Sequence, residues 1–273
     1  MELKRVVVTG LGALTPIGNN VKEYWDNLVK GTSGSNLITR FDCSNFKTKF
    51  ACEVKGFDPQ DHFDRKEARK IDLFTMFALV AADEAVKDSG INLETMDLDR
   101  AGVIFGSGIG GFNTFYQEMA EFVKNPDVPR FNPFFIPKLI IDIAAGQLSI
   151  KYGFRGPNFA TVSACATSTN AIIDAFNYIR LNKADIFLTG GTEAAVNQPG
   201  LGGFNAMQAL STNNAEYKTA SRPFDATRDG FVIGEGAGVL ILEELEHAKK
   251  RGARIYAEDH SGPIEVHRFK INS

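Results

Sequence analysis

Short apolar runs bounded by glycine alternate along this chain with longer segments whose apolar residues return every three to four positions. That pattern predicts strands alternating with helices. Val6-Val7-Val8 lies in a strand over residues 5–9, closed by a turn at Gly10-Leu11-Gly12, and a helix is expected over 21–29. Residues 40–63 are loop-rich, with weak strand character at 50–54. Residues 65–88 carry one apolar face (Ile71, Phe74, Phe77, Ala78, Ala81, Ala85) and predict a single helix ending at Gly90. A second strand over 103–105 runs into Gly106-Ser107-Gly108-Ile109-Gly110-Gly111, with a helix following to Val123. Four prolines and three phenylalanines at 125–137 predict no regular element. A helix is expected over 140–150 and a strand over 158–160. The next helix, 169–181, sets Ile172, Phe176 and Ile179 on one face. A strand over 184–189 ends in Gly190-Gly191, 199–211 reads as a Gly-rich loop, 236–243 as a strand, 244–251 as a helix, and 254–257 as the start of another strand. This order predicts an α/β layered fold, a mixed sheet packed by helices.

At 273 residues the chain is long enough for one large domain or two small ones, and no linker, low-complexity tract or short repeat divides it. Its net charge of -3 gives no reason to expect nucleic acid or an anionic membrane as partner. The apolar start is too short for a signal peptide, and no run approaches the ~18 apolar residues that span a bilayer. The three cysteines, Cys43, Cys52 and Cys165, are odd in number and lack metal-type spacing, so no metal is expected and a cytoplasmic, reduced chain is. Phenylalanine is abundant, 22 residues, which fits a large apolar interior or an apolar cavity.

The chemistry-bearing stretch is Thr161-Val162-Ser163-Ala164-Cys165-Ala166-Thr167-Ser168, set between a strand and a helix. A cysteine at a helix N-terminus sits where the dipole favours the thiolate. By residue type alone, a buried structural thiol is the commoner case. Other readings fail on spacing. Gly106-x-Gly108-x-x-Gly111 lacks the acidic residue that a dinucleotide fingerprint needs about 20 residues on. Gly10-x-Gly12 has Thr15 where the third glycine belongs, and no Gly-x-Ser-x-Gly elbow occurs. No cofactor is implied. Of four histidines, His62 and His247 read as solvated surface residues, and His260 and His267 fall in the final tail. The run from Arg222 through Gly238 reads as a structural network in which Asp225 and Asp229 bond Arg222 and Arg228.

Taken together, Val6-Val7-Val8-Thr9-Gly10-Leu11-Gly12, the loop 106–111, Phe134-Phe135-Ile136-Pro137, Ala164-Cys165-Ala166, Gly202-Gly203-Phe204 and Arg228-Asp229-Gly230-Phe231-Val232 resemble, in this order, the β-ketoacyl-acyl-carrier-protein synthases of the thiolase-like superfamily. The type II enzymes of bacterial fatty-acid synthesis match best. The resemblance implies a thiolase-like layered fold, αβαβα when complete, of which residues 1–258 are the N-terminal half. It implies that Cys165 is the nucleophile that takes an acyl chain from acyl-carrier protein, its own N–H supplying half of an oxyanion hole. Malonyl-carrier protein then condenses with that chain as CO2 leaves. Ile109 matches the side chain gating the acyl tunnel, which implies medium-to-long chains. Ala164, Gly200 and Phe204 match positions along the tunnel, and Phe135 one lent across a homodimer interface. Lys66, Arg69, Lys70 and Arg130 match bases that meet the acidic carrier protein, although by charge pattern alone a solvated face explains them.

The family's second half carries two catalytic histidines, a lysine and the rest of the oxyanion hole. Residues 259–273 do not resemble its beginning, and His260 and His267 do not match its histidines. The expectation is a chain that lacks the condensation step and leaves one face exposed. Two alternatives stand beside this reading. One is a non-catalytic, carrier-binding partner subunit resembling chain-length factors, against which Cys165 speaks. The other is a thiolase-type acyltransferase acting on coenzyme A thioesters, which Phe135 and Gly202-Gly203-Phe204 fit less well.

Overall fold

The computed structural model describes residues 3–259 and 269–271. In chain order the strands are β1 (Val6–Leu14), β2 (Asn36–Leu37), β3 (Phe50–Ala51), β4 (Ala101–Gly106), β5 (Asn158–Phe159), β6 (Ile186–Glu193), β7 (Gly236–Glu244), β8 (Ala257–Asp259) and β9 (Phe269–Ile271). The helices are α1 (Val21–Val29), α2 (Arg65–Ala68), α3 (Leu73–Ser89), α4 (Phe112–Lys124), α5 (Phe135–Leu139), α6 (Ile143–Tyr152), α7 (Thr167–Arg180), α8 (Gln198–Ala206) and α9 (Leu245–Lys250). Seven strands make one mixed sheet in the order β5-β4-β6-β7-β1-β8-β9. β4 runs parallel to β5 and β6, and the remaining pairs are antiparallel.

Successive side chains of a strand face opposite ways, and both faces of this sheet are covered. Val103 and Phe105 of β4, Ile186 and Leu188 of β6, and Val239 and Ile241 of β7 join α3 and α6 in one core. Ile104, Phe187 and Leu242, from the same strands, join Ala171, Ala175 and Ile179 of α7 in another. Burial on both faces is why these strands read as near-continuous apolar runs. Phe50, Phe74, Phe77, Phe105 and Phe187 are fully buried. Other phenylalanines line the surface in a stack: Phe131 lies 5.6 Å from Phe135 and 5.5 Å from Phe122. Among the described residues no helix is long and apolar enough to cross a membrane.

The layered α/β reading holds, and several local expectations change. Gly10-Leu11-Gly12 is not a turn, because β1 continues through it to Leu14. These glycines admit α3: a Cβ at Gly10 would stand 2.4 Å from the Ala85 carbonyl oxygen, and one at Gly12 1.9 Å from that of Ala81. Beyond Val8, where pairing with β8 stops, α3 also caps the free edge of β1. Asp88 accepts from Leu11 N–H and Glu84 from Ala13 N–H.

The single helix expected over 65–88 is broken into α2 and α3. Buried Asp72 starts α3 by accepting from Phe74 N–H, and its other oxygen accepts from the amide and hydroxyl of Thr114. The loop expected at 199–211 begins as α8, capped by Asn197, which accepts from Gly200 N–H. The irregular stretch 125–137 ends by entering α5.

The network around Arg222 exists, but only partly with the partners expected: the Arg228 guanidinium donates to the Asp225 backbone carbonyl at 2.7 Å, while the two carboxylates bond elsewhere. Asp225 accepts from the amide and hydroxyl of Thr227, Asp229 from Thr212 N–H, and Arg222 pairs with Glu216. His247 is not a solvated surface residue, because its Nδ1 lies 2.6 Å from the fully buried carboxylate of Glu243.

Candidate active site

β5 ends at Phe159, and after four intervening residues the chain enters a single 3₁₀ turn, Ala164–Ala166, that continues into α7. Cys165 is the middle residue of that turn, and its side chain is exposed. Ala164, just before it, is held at φ 50. An L-residue takes that left-handed backbone only at a cost of about 1–2 kcal/mol, so the surroundings must enforce it.

They do so through Thr167. Its hydroxyl donates to the Ala164 carbonyl at 2.7 Å and accepts from Ser163 N–H at 2.8 Å. Thr161 Oγ1 donates to the Thr167 carbonyl, and Asn170 holds the Ser163 hydroxyl at 2.6 Å. Among the described residues, the Cys165 amide N–H itself has no hydrogen-bond partner. An exposed thiol beside a free N–H, on a corner fixed by four side-chain bonds, can hold a developing oxyanion while the sulfur bonds to a carbonyl carbon.

Two glycines let the corner sit this close to the sheet. A Cβ at Gly106 would meet Thr167 Cγ2 at 2.2 Å, and one at Gly191 would meet Ser168 Oγ at 2.0 Å. From the other side the loop 107–110 passes beneath Ala164. A Cβ at Gly108 would lie 3.4 Å from the Ala164 carbonyl oxygen and 2.9 Å from Glu193 Oε2.

The structure separates the residues singled out by sequence. Ile109 and Phe204 are half-buried and pack on one apolar cluster with Ile38, Ala195, Val196, Leu201 and Ile233. Gly200 is buried in α8, where a Cβ would stand 2.2 Å from the Ala195 carbonyl oxygen. Ala164 is exposed beside Cys165, and Phe135 is half-buried in the surface stack of phenylalanines. Lys66, Arg69, Lys70 and Arg130 are all exposed. The Lys70 ammonium lies 5.7 Å above the Phe134 ring, which ties the segment after α2 to the loop that carries Arg130. Met207, Phe224 and Phe231 add exposed apolar surface, Phe224 being 99% exposed.

His62 stacks on Phe57 and His247 bonds Glu243, so both described histidines are engaged away from the corner. His260 and His267 lie outside the described residues, as does most of the stretch 259–273. No group of three or more His, Cys, Asp or Glu among the described residues could hold a metal ion. Sequence reasoning missed Thr167, which fixes the corner, and Glu193. The signal for Glu193 was present: it is the sole charged residue between Asp185 and Glu216.

The profile of the family described as "Beta-ketoacyl synthase, N-terminal domain" matches residues 3–248. The 3-oxoacyl-[acyl-carrier-protein] synthase 2 of Staphylococcus aureus (strain COL) is 52% identical over 258 residues, 93% of this chain and 61% of that protein. A beta-ketoacyl synthase from Burkholderia phymatum STM815 superposes with a TM-score of 0.84 at 32% identity, covering 93% of this chain and 62% of that one. A type II PKS ketosynthase solved in complex with its acyl-carrier protein gives 0.78 at 33% identity, covering 94% and 62%. This chain thus spans about three fifths of the length of the relatives it matches. With the profile running from the first core strand into α9, and the fold shared at that level of identity, the chain belongs to the β-ketoacyl synthase family.

Proposed function

We propose that this chain carries the acyl-accepting site of a 3-oxoacyl-acyl-carrier-protein synthase of fatty-acid synthesis, with residues 1–258 forming the N-terminal half of the enzyme. The observation that carries the reading is the Cys165 corner, where an exposed sulfur stands next to an unpaired amide N–H. In the first stage the Cys165 thiolate attacks the carbonyl carbon of an acyl thioester on carrier protein. The carbonyl oxygen takes the negative charge against the Cys165 N–H. The intermediate then collapses by breaking the bond to the carrier sulfur, which leaves as a thiolate and takes up a proton. In the whole protein a malonyl thioester then loses CO2. Its carbanion bonds to the acyl carbon, Cys165 leaves as thiolate, and the product is a 3-oxoacyl thioester longer by two carbons.

In this reading Ile109 gates the acyl tunnel, and Ala164, Gly200 and Phe204 lie along it. The shared apolar cluster of Ile109 and Phe204 supports that assignment. Phe135 is lent to the partner of a homodimer, in keeping with the exposed aromatic stack around it. Lys66, Arg69, Lys70 and Arg130 receive the acidic carrier protein, and the site works in the cytoplasm. The ketosynthase solved with its carrier protein supports the choice of partner.

Intact mass after incubation with acyl-carrier thioester tests the reading. A single acyl adduct that disappears in Cys165→Ala is expected. An adduct that survives the substitution, or none with the native chain, overturns it.

A further inference from the structure

Glu193 is the last residue of β6, and its carboxylate is spent entirely on the loop before α4. Oε1 accepts from the Ser107 hydroxyl at 3.0 Å, and Oε2 from Gly108 N–H at 2.8 Å and Ile109 N–H at 3.2 Å. The Ser107 hydroxyl in turn accepts from Gly110 N–H at 3.0 Å. The three residues that follow continue the grip. The Ala194 carbonyl accepts from the Asn113 side chain at the start of α4, and Ala195 and Val196 belong to the apolar cluster on which Ile109 packs. Four consecutive residues therefore hold the loop by carboxylate, carbonyl and apolar contact.

The held loop is the one beneath the nucleophile's corner. Gly108 is hemmed between Glu193 Oε2 and the Ala164 carbonyl, so a shift of the loop moves the surface below Cys165. Burial pushes the Glu193 carboxyl up, against the bonds from Ser107 and the loop amides that favour its ionised form. A carboxylate is suited to this position because it is acceptor-only, and each N–H it receives is a charge-assisted bond of roughly twice the usual strength.

We infer that Glu193 is a positioning residue for acyl-chain selection: its carboxylate fixes the backbone of Gly108 and Ile109, and so the width of the passage beside Cys165. This assignment rests on the reading of Ile109 as the gate. Glu193 is not itself in contact with the acyl chain and acts through the loop.

The test uses the full chain with Glu193→Gln, which keeps the shape but turns one oxygen into a donor facing the loop's own donors. Amide hydrogen exchange at Gly108 and Ile109 is expected to accelerate by about tenfold or more while amides in the middle of β6 keep their protection. In parallel, the ratio of Cys165 acylation rates from long-chain and short-chain acyl-carrier thioesters should change by at least about threefold, since a passage of altered width discriminates by methylenes. Ser107→Ala keeps the carboxylate but cuts its link to Gly110, and should shift both readouts less and in the same direction. It also decides the matter if Glu193→Gln does not fold. Equal slowing for all chain lengths, or unchanged exchange at Gly108 and Ile109, overturns the inference. If the native chain accepts no acyl group, the functional reading fails, while the exchange measurement still decides whether Glu193 holds the loop.

Discussion

Gly106 and Gly191 are partners across β4 and β6, and the space left by their absent side chains is what the Cys165 corner occupies. A methyl group at Gly106 would meet Thr167 Cγ2 at 2.2 Å and the Thr161 carbonyl oxygen at 2.7 Å. Thr167 is also the residue that holds Ala164 in its left-handed conformation. Position of Cys165 and packing of the sheet are therefore one constraint.

Gly106→Ala should accordingly destabilise the fold by about 1–3 kcal/mol, the usual cost of overpacking a tight site. It should also slow alkylation of Cys165 by iodoacetamide, because the corner cannot keep its shape once Thr167 moves. Urea melts and a labelling time course measure the two effects. A variant with native stability and native labelling would show that the corner does not depend on this contact.

Ala164 offers a finer probe of the same corner. Its φ of 50 costs an L-residue about 1–2 kcal/mol. Ala164→Gly relieves that strain and loses about 0.5–1 kcal/mol through greater freedom of the unfolded chain, so its stability should stay close to native. Ala164→Val puts a β-branched residue in the same backbone and should cost clearly more. Equal melts for the two variants would mean that the enforced backbone carries no strain.

The alternation of strands and helices was legible because buried strands and helix faces write their periods into the apolar residues. The strand-to-helix corner at Cys165 was legible in the small residues that flank it, but its exposure was not, since by residue type alone a buried thiol is the commoner case. What stayed hidden depended on partners far along the chain. Gly10 and Gly12 read as a turn, since nothing local says that α3 will lie on them. The break before α3 was masked because Ile71 keeps the apolar phase across it, while Asp72 finds its purpose in Thr114 of α4. The glycines of α8 suggested a loop, yet Asn197 and Pro199 start a helix there. Glu193 went unnoticed although it is an isolated charge in the sequence, and only the fold shows which amides surround it.

A second buried carboxylate carries a prediction about stability. Glu235 is wholly buried at the side chain and meets the Arg40 guanidinium through both oxygens, while also accepting from Val54 N–H. Burial pushes its carboxyl up, and Arg40 pulls it back. Arg40→Ala removes the cation and leaves the carboxylate buried, which should cost about 3 kcal/mol. The deficit should shrink as pH falls, because a protonated Glu235 no longer needs a cation. A pH-independent loss, or none, would show that water already serves the pair.

The cluster around Glu243 sets the pH response of the sheet's far side. Burial would raise this carboxyl, but hydrogen bonds from Arg251, His247 and Thr9 outweigh it and hold the group below its ordinary value. Its contribution is therefore present above about pH 4.5 and lost only as pH falls through the lowered folded value. His247 is raised, chiefly by its hydrogen bond to Glu243, with Asp185 adding attraction and Arg251 opposing it. The stabilisation from His247 is thus complete below its unfolded value near 6.5 and fades as pH rises through the higher folded value. The native chain should lose melting temperature as pH rises above about 6.5, and His247→Gln should show a flatter profile there while sharing the acid limb, where Glu243 still has Arg251. Melting temperatures of both proteins across pH 4 to 9 check this, and parallel curves above pH 6 would rule out His247 as the titrating group.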